Sequence, residues 1–326
     1  MQHILPAGFR VRRPVLDDLK SIVEMLQEIE KAEVGRIRTT ESDLRTFWLM
    51  PGHSLELDHW LIIAPNGEMA AVVRLGHREP AHLSTGPMIR PAYTGLGLYE
   101  YLLELATERA HAFIPEAPAD ARVSLGAYTF EKNVEAHRAL ENAGFAHVRS
   151  DWLLQIDMDQ PPPEPTWPEG LELRPYTPEM LYSIYQADNE AFQDHWGHTT
   201  FEFEIWQAWN NKRESFDPSL WFIVFDGDEI AGLAICAYEQ SVAWVGELGV
   251  RRLWRHRGLG LALLYHAFGE FYRRGTRRVV LNADSQNLTG AIRLYTRAGM
   301  RPVEQYDIYQ LELRAGVELS TQALKV

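Results

Sequence analysis

The run VAWVGELGV ends at Val250 and leads through RRLWRHRGLG into LALLYHAFGEFYRR. An alternating apolar stretch followed by a helical pattern puts Arg255, Gly258 and Gly260, spaced R-x-x-G-x-G, at a strand-to-helix turn. Glycines at such a turn let the backbone approach a ligand closely. The helix after it offers unpaired N–H groups and the positive end of its dipole. Together these features suit a phosphate, with Arg255, His256 and Arg257 adding charge. Neither the G-x-G-x-x-G of a dinucleotide fold nor the Gly-Lys-Ser/Thr of a P-loop is present.

Two patterns in order, V-x4-R-x-x-G-x-G-x-x-L-L from Val250 and N-x-T-G-A-x-R-L-Y-x-x-A-G from Asn287, resemble the GNAT superfamily of acetyl-CoA-dependent N-acetyltransferases. The resemblance is strong over 170–313 and weak over 9–158. It implies that the backbone of Arg255, His256, Arg257, Gly258, Leu259 and Gly260 cradles the coenzyme's pyrophosphate. It also implies that the strand end Leu248-Gly249-Val250 splays from its neighbour to pair with pantetheine, and that Asn287 touches the pantetheine arm. Tyr295 would protonate the departing thiolate; its other reading is a packed helix residue.

Acetyl transfer to an amine requires that a proton leave the ammonium, commonly to a carboxylate. Glu247 is the only carboxylate on the strand before the loop and sits where many GNAT proteins carry an acid. It is expected to act as base or water anchor, with a structural or substrate-binding role as the alternative. The acceptor wall is expected in EAFQDHWGHTTFEFEIWQAW, residues 190–209, where Asp194, His195 and Trp196 are candidate substrate contacts. Glu202, Glu204, Phe201 and Trp206 add acids and aromatics that suit a cationic amine. The competing reading of this stretch is an amphipathic helix with a tryptophan-rich core face. Asp194, His195 and His198 are too few for a metal site, and none is expected.

These groups must be positioned by a fold, and the chain shows how it is built. A constant offset of 161 residues carries Arg13-Pro14 onto Arg174-Pro175, Trp48 onto Trp209, Trp60 onto Trp221 and Gly97 onto Gly258. The chain therefore reads as a duplication, with QPPPEPTWPEG at 160–170 as a stiff connector. Each half reads as strand, two helices, hairpin, strand, glycine loop, helix, strand, helix and strand. Asn66-Gly67 and Asp226-Gly227 mark the hairpin turns. The expected fold is a mixed α/β sheet in two tandem GNAT domains, 1–160 and 161–326.

At the 161-residue offset Thr94 replaces Arg255 and Tyr99 replaces Gly260, while counting back from Gly144 puts Leu140 where Tyr295 stands. The first domain is expected to be degenerate and the second catalytic. The implied activity is transfer of an acetyl group from acetyl-CoA to a primary amine of a small molecule. A non-catalytic acetyl-CoA sensor and a protein N-acetyltransferase are the alternatives.

The 326 residues suffice for two cores. A net charge of −13 argues against a nucleic-acid partner. The single cysteine, Cys236, lies in a strand-like run and reads as core, and one thiol precludes an intramolecular disulfide. No apolar run reaches the ~18 residues of a membrane span, so cytoplasmic residence is expected. A monomer and a homodimer are both left open by the sequence. Arg273, Arg274, Arg277 and Arg278 are expected to be solvated charges at a helix end.

Overall fold

In the computed structural model residues 3–37, 39–49, 54–200, 202–211, 216–239, 242–287 and 290–322 are described. Phe201 and Thr289, which the sequence assigns to the acceptor wall and the N-x-T-G motif, lie outside them. The first half runs β1 (Arg10–Arg12), α1 (Leu19–Val34), α2 (Glu41–Trp48), α3 (Leu55–Asp58), β2 (His59–Ile63), β3 (Met69–Glu79), β4 (His82–Thr85), β5 (Met88–Ile89), α4 (Leu98–Ala110), β6 (Val123–Phe130), α5 (Val134–Asn142) and β7 (Ala146–Asp157). The second runs β8 (Leu171–Arg174), α6 (Leu181–Phe192), α7 (Phe203–Asn210), β9 (Trp221–Asp226), β10 (Glu229–Glu239), β11 (Val242–Val250), α8 (Leu259–Arg273), β12 (Arg278–Asp284), α9 (Ala291–Arg297) and β13 (Arg301–Arg314). The duplicated order is as the sequence indicates.

The chain forms two compact units, and they do not divide at residue 160. One contains Met1–Ser150 with Glu304–Leu319, the other Asp151–Val303 with Ser320–Val326. The final strand of each repeat is exchanged. In the first unit β6 pairs antiparallel with the Tyr306–Arg314 part of β13. In the second, β12 pairs antiparallel with Asp151–Asp157 of β7. The expected boundary of 1–160 and 161–326 is corrected accordingly. Alternating apolar residues define a strand but not the edge it joins, and both last strands carry the same alternation.

In the second unit the sheet order is β7, β12, β11, β10, β9, β8. Helices α8 and α9 cover one face. Leu259, Leu263, Ala267 and Phe271 recur along α8 at helical spacing and pack on Ala234, Cys236 and Val245 of the sheet. Helices α6 and α7 cover the other face, with Ile184 and Trp206 against Ile223, Leu233 and Ile235. Phe268 and Phe271 are fully buried, each favouring the fold by about 1.5–3 kcal/mol. Cys236 is buried in this core, and burial pushes its thiol pKa up. The first unit repeats the layers, with α4 and α5 on one face and α1 and α2 on the other.

Candidate active site

The parallel ladder between β11 and β12 holds only Ala243 with Val279 and Trp244 with Val280. On its other edge β11 stays paired to β10 as far as Val250, opposite Gly232. The register slips between Ile235 and Cys236, which face Glu247 and Val245, so Gly246 is the extra residue of a bulge. A bulge bends its strand and re-aims the residues beyond it. Beyond Trp244 the β12-side edge of β11 is therefore left open by the ladder, and Leu248-Gly249-Val250 lie on that open stretch.

Past Val250 the chain makes one 3-10 turn, Arg252–Trp254, then an extended Arg255. His256 comes next at φ 63°, left-handed despite its side chain, and Gly258 at φ 88° caps α8. Left-handed backbone at a non-glycine residue is costly and collects at functional sites. Among the described residues no side chain accepts a hydrogen bond from the amides of His256, Arg257 or Gly258, and all three are exposed. A Cβ added to Gly260 would lie 3.2 Å from Leu294 of α9 and 3.7 Å from Val250. Gly260 therefore keeps α8, α9 and the strand end close together.

The first unit has the same turn conformation: a 3-10 turn Pro91–Tyr93, an extended Thr94, then Gly95 at φ 78° and Gly97 at φ 75°. This matches the 161-residue register residue by residue. Its loop is closed, however. The amide of Gly95 donates to both carboxylate oxygens of Glu135, at 2.8 and 2.9 Å. Counted back from Gly144 and Gly299, Glu135 falls on Gly290, which has no side chain to offer. Tyr99, in the place of Gly260, is buried and hydrogen-bonds Asn133 at 2.6 Å. Leu140, in the place of Tyr295, is core.

Two sequence-based expectations are corrected. The guanidinium of Arg255 does not face the loop's anion site. It donates to Asp194 at 2.6 Å, to the Val250 carbonyl at 3.0 Å and to the Ala191 carbonyl at 3.0 Å. Asp194 is accordingly not an acceptor contact. It is buried, is also bonded by Arg252, and the two guanidiniums hold its carboxyl down at about 2. These bonds fasten the loop to the end of α6. The partners lie about 60 residues apart in sequence, so spacing alone did not reveal them.

Most of the other expected residues make local structural contacts. The side chain of Asn287 accepts from Ala291 at 3.2 Å and so caps α9. The Trp196 indole donates to Gln322 at 2.8 Å, under the C-terminal segment. Trp206 is core and donates to Asp188 at 2.8 Å, which favours the amphipathic reading of its helix. The arginine cluster is paired within the protein: Arg273 and Arg274 with Glu270 one turn back, Arg277 over the Tyr272 ring, and Arg278 with Asp157 on the paired strand β7. Among the described residues no three His, Cys, Asp or Glu side chains converge as metal ligands.

Glu247 and Tyr295 flank the slot from opposite faces. Glu247 pairs across the sheet with Ile235, on the face that α6 covers. Tyr295 belongs to the core under α8 and α9. Burial, and then the charge of Glu247, pushes the Tyr295 hydroxyl up to about 12, so it keeps its proton at neutral pH. Gly249 shares the face of Glu247, and a Cβ there would meet Ala191 at 2.8 Å and the Phe192 ring at 3.2 Å. A slot in a sheet, open amides at its end, a carboxylate on one side and a phenol on the other can hold an acyl-coenzyme and exchange protons across it.

The model of the acetyltransferase (GNAT) family matches residues 181–300, from α6 to the end of α9. A crystal structure of a GCN5-related N-acetyltransferase from Sphaerobacter thermophilus is 34% identical, with TM-score 0.84, covering 98% of this chain and 100% of that one. The chain belongs to the GCN5-related N-acetyltransferase family. This GNAT enzyme is also similar to the mycothiol acetyltransferase of Thermobispora bispora, 27% identical over 261 residues, which is 74% of this chain and 79% of that one. A tandem GNAT protein from the clavulanic acid biosynthesis pathway shares the fold at 13% identity and TM-score 0.68, covering 95% and 100%. The GNAT family uses acetyl-CoA as its coenzyme. Among the described residues no helix is long and apolar enough to cross a membrane.

Proposed function

We propose that the second unit alone binds acetyl-CoA and transfers its acetyl group to a primary amine of a small molecule. The observation that carries this reading is the contrast between two loops of one conformation. In one, Glu135 lies on the Gly95 amide where a phosphate would lie. In the other the corresponding amides are open, with Gly290 in place of the carboxylate. The first unit is then a degenerate copy that does not bind the coenzyme.

In the transfer, the backbone of residues 255–260 holds the diphosphate and Asn287 borders the pantetheine arm. The open edge at Leu248, Gly249 and Val250 receives the pantetheine amides and turns an N–H toward the thioester oxygen. Glu247 takes a proton from the ammonium on the α6 face, the amine attacks, and Tyr295 protonates the leaving sulfur from the other face. Arg255 acts by fastening the loop rather than by touching phosphate. Similarity to a mycothiol acetyltransferase supports a small-molecule acceptor, with a mycothiol precursor first among amines to try.

The test is calorimetry with acetyl-CoA, then free-thiol release over a panel of a mycothiol precursor, glucosamine, spermidine and an aminoglycoside. One coenzyme per chain and turnover with at least one amine are expected. Two equivalent sites, or tight binding with no turnover on any amine, would overturn the reading.

A further inference from the structure

Conversion of an ammonium to an amide removes two protons from nitrogen. One is lost before attack, because the lone pair must be free. The other is lost after the C–N bond forms and as the C–S bond breaks. The thiolate receives one proton, from Tyr295, and one proton is released to solvent overall. Glu247 holds one proton at a time. A second acceptor on the same face of the slot would complete the balance without Glu247 first unloading to water.

We propose that His195 is this second acceptor: it touches the reacting nitrogen and takes the proton that remains after Glu247 has taken the first. This deepens the assignment of Glu247 and Tyr295 above and rests on it. His195 lies just past α6, and its ring is edge-on to Phe192 with centroids 4.5 Å apart. Phe192 and Ala191 in turn cover Gly249, two residues along β11 from Glu247 and on the same face. The imidazole is thus at the α6 side of the slot.

Its charged surroundings come from three elements: Asp194 and His198 from its own segment, Arg255 from the loop, and Asp284 from the end of β12. Asp194 is already bound by two arginines. Asp284 lies on the strand that forms the other wall of the slot, and its charge favours an imidazolium. Burial, and after it His198 and Arg255, pushes the His195 pKa below the ordinary histidine range. The ring is therefore neutral at pH 7, as a base must be. Among the described residues neither ring nitrogen makes a hydrogen bond. The proton accepted there passes to solvent or back to the Tyr295 phenolate.

The test uses the full chain, acetyl-CoA and the fastest amine of the panel above. His195→Gln is expected to keep acetyl-CoA affinity within about twofold and to lower kcat about 10²-fold. It should also remove one group from the acid limb of the pH profile. Exogenous imidazole is expected to restore part of the rate to His195→Ala. Asp284→Asn removes a charge that raises the His195 pKa, so the acid limb should move to lower pH. NMR titration of His195 reads that same shift without any acceptor. A wild-type rate and pH profile in His195→Gln would overturn the proposal, as would a His195 titration unmoved by Asp284→Asn. If Glu247→Gln is inactive while His195→Gln is not, the His195 role fails and the Glu247 role stands. If no amine turns over, the underlying reading fails instead.

Discussion

Tyr295 is held protonated by its surroundings: it is nearly wholly buried, and the charge of Glu247 opposes ionisation further. An acid poised at about 12 does not lose its proton in the working range. Tyr295→Phe is expected to lower kcat by about 10²–10⁴-fold with acetyl-CoA affinity unchanged by calorimetry. Any fall in kcat between neutral pH and about pH 9 should persist in that variant, because the tyrosine does not cause it. A second residue acts on the fold. Asp188 is buried, with one oxygen on the Trp206 indole and the other, Oδ1, without a partner among the described residues. Burial raises its carboxyl to about 7. The folded state thus holds the proton that the unfolded chain releases near pH 4. The stability this group contributes is present below that pH and is lost as pH rises to about 7. Asp188→Asn should remove that loss, so its melting temperature should gain on wild type by several degrees between pH 4 and 8. At about 2–4 °C per kcal/mol, thermal scans at the two pH values resolve the difference.

At the scale of elements, the loop between β11 and α8 is proposed to bind through its backbone, and two substitutions separate backbone from side chain. His256 is left-handed, as Gly95 is in the other unit. His256→Gly should keep acetyl-CoA binding, because glycine adopts that conformation freely. His256→Ala should be no tighter, because the strain of about 1–2 kcal/mol stays. Binding lost equally in both would mean that the imidazole, not the amide, holds the phosphate. Gly260→Trp should weaken acetyl-CoA binding at least 100-fold, because its Cβ already meets Leu294 at 3.2 Å. Asp194→Asn breaks the fastening of the loop to α6. It should lower the melting temperature by several degrees and weaken the coenzyme, since two guanidiniums lose their shared carboxylate. The loop's place and glycines were legible because strand-to-helix turns use few residue types. The fastening was not, because an acid beside histidine and tryptophan reads as a ligand until its distant arginines are seen. Glu135 was legible in principle: laying the two last helices on each other sets it against Gly290. Its meaning needed the bond to Gly95.

At the scale of the whole molecule, a fixed offset declared the duplication, since repeated landmarks survive divergence that erases motifs. The exchange of last strands was invisible in the sequence, because two strands with one alternation pattern fit either edge. That exchange decides where the chain can be cut. A fragment of residues 161–326 includes the loop, Glu247 and Tyr295, yet it lacks the strand that pairs with β12 from Arg278–Asp157 to Asp284–Asp151. It turns β12, one wall of the slot, into an unpaired edge and removes Leu154 and Met158 from the core under α8. A fragment of residues 151–326 keeps that strand and contains all of the second unit. The longer fragment is expected to melt cooperatively and to bind acetyl-CoA within about tenfold of the full chain. The shorter one, cut at the proline connector, should show neither a cooperative transition by circular dichroism nor heat on titration with acetyl-CoA. Equal behaviour of the two would mean that β12 is supported without β7, and that each repeat folds around its own last strand.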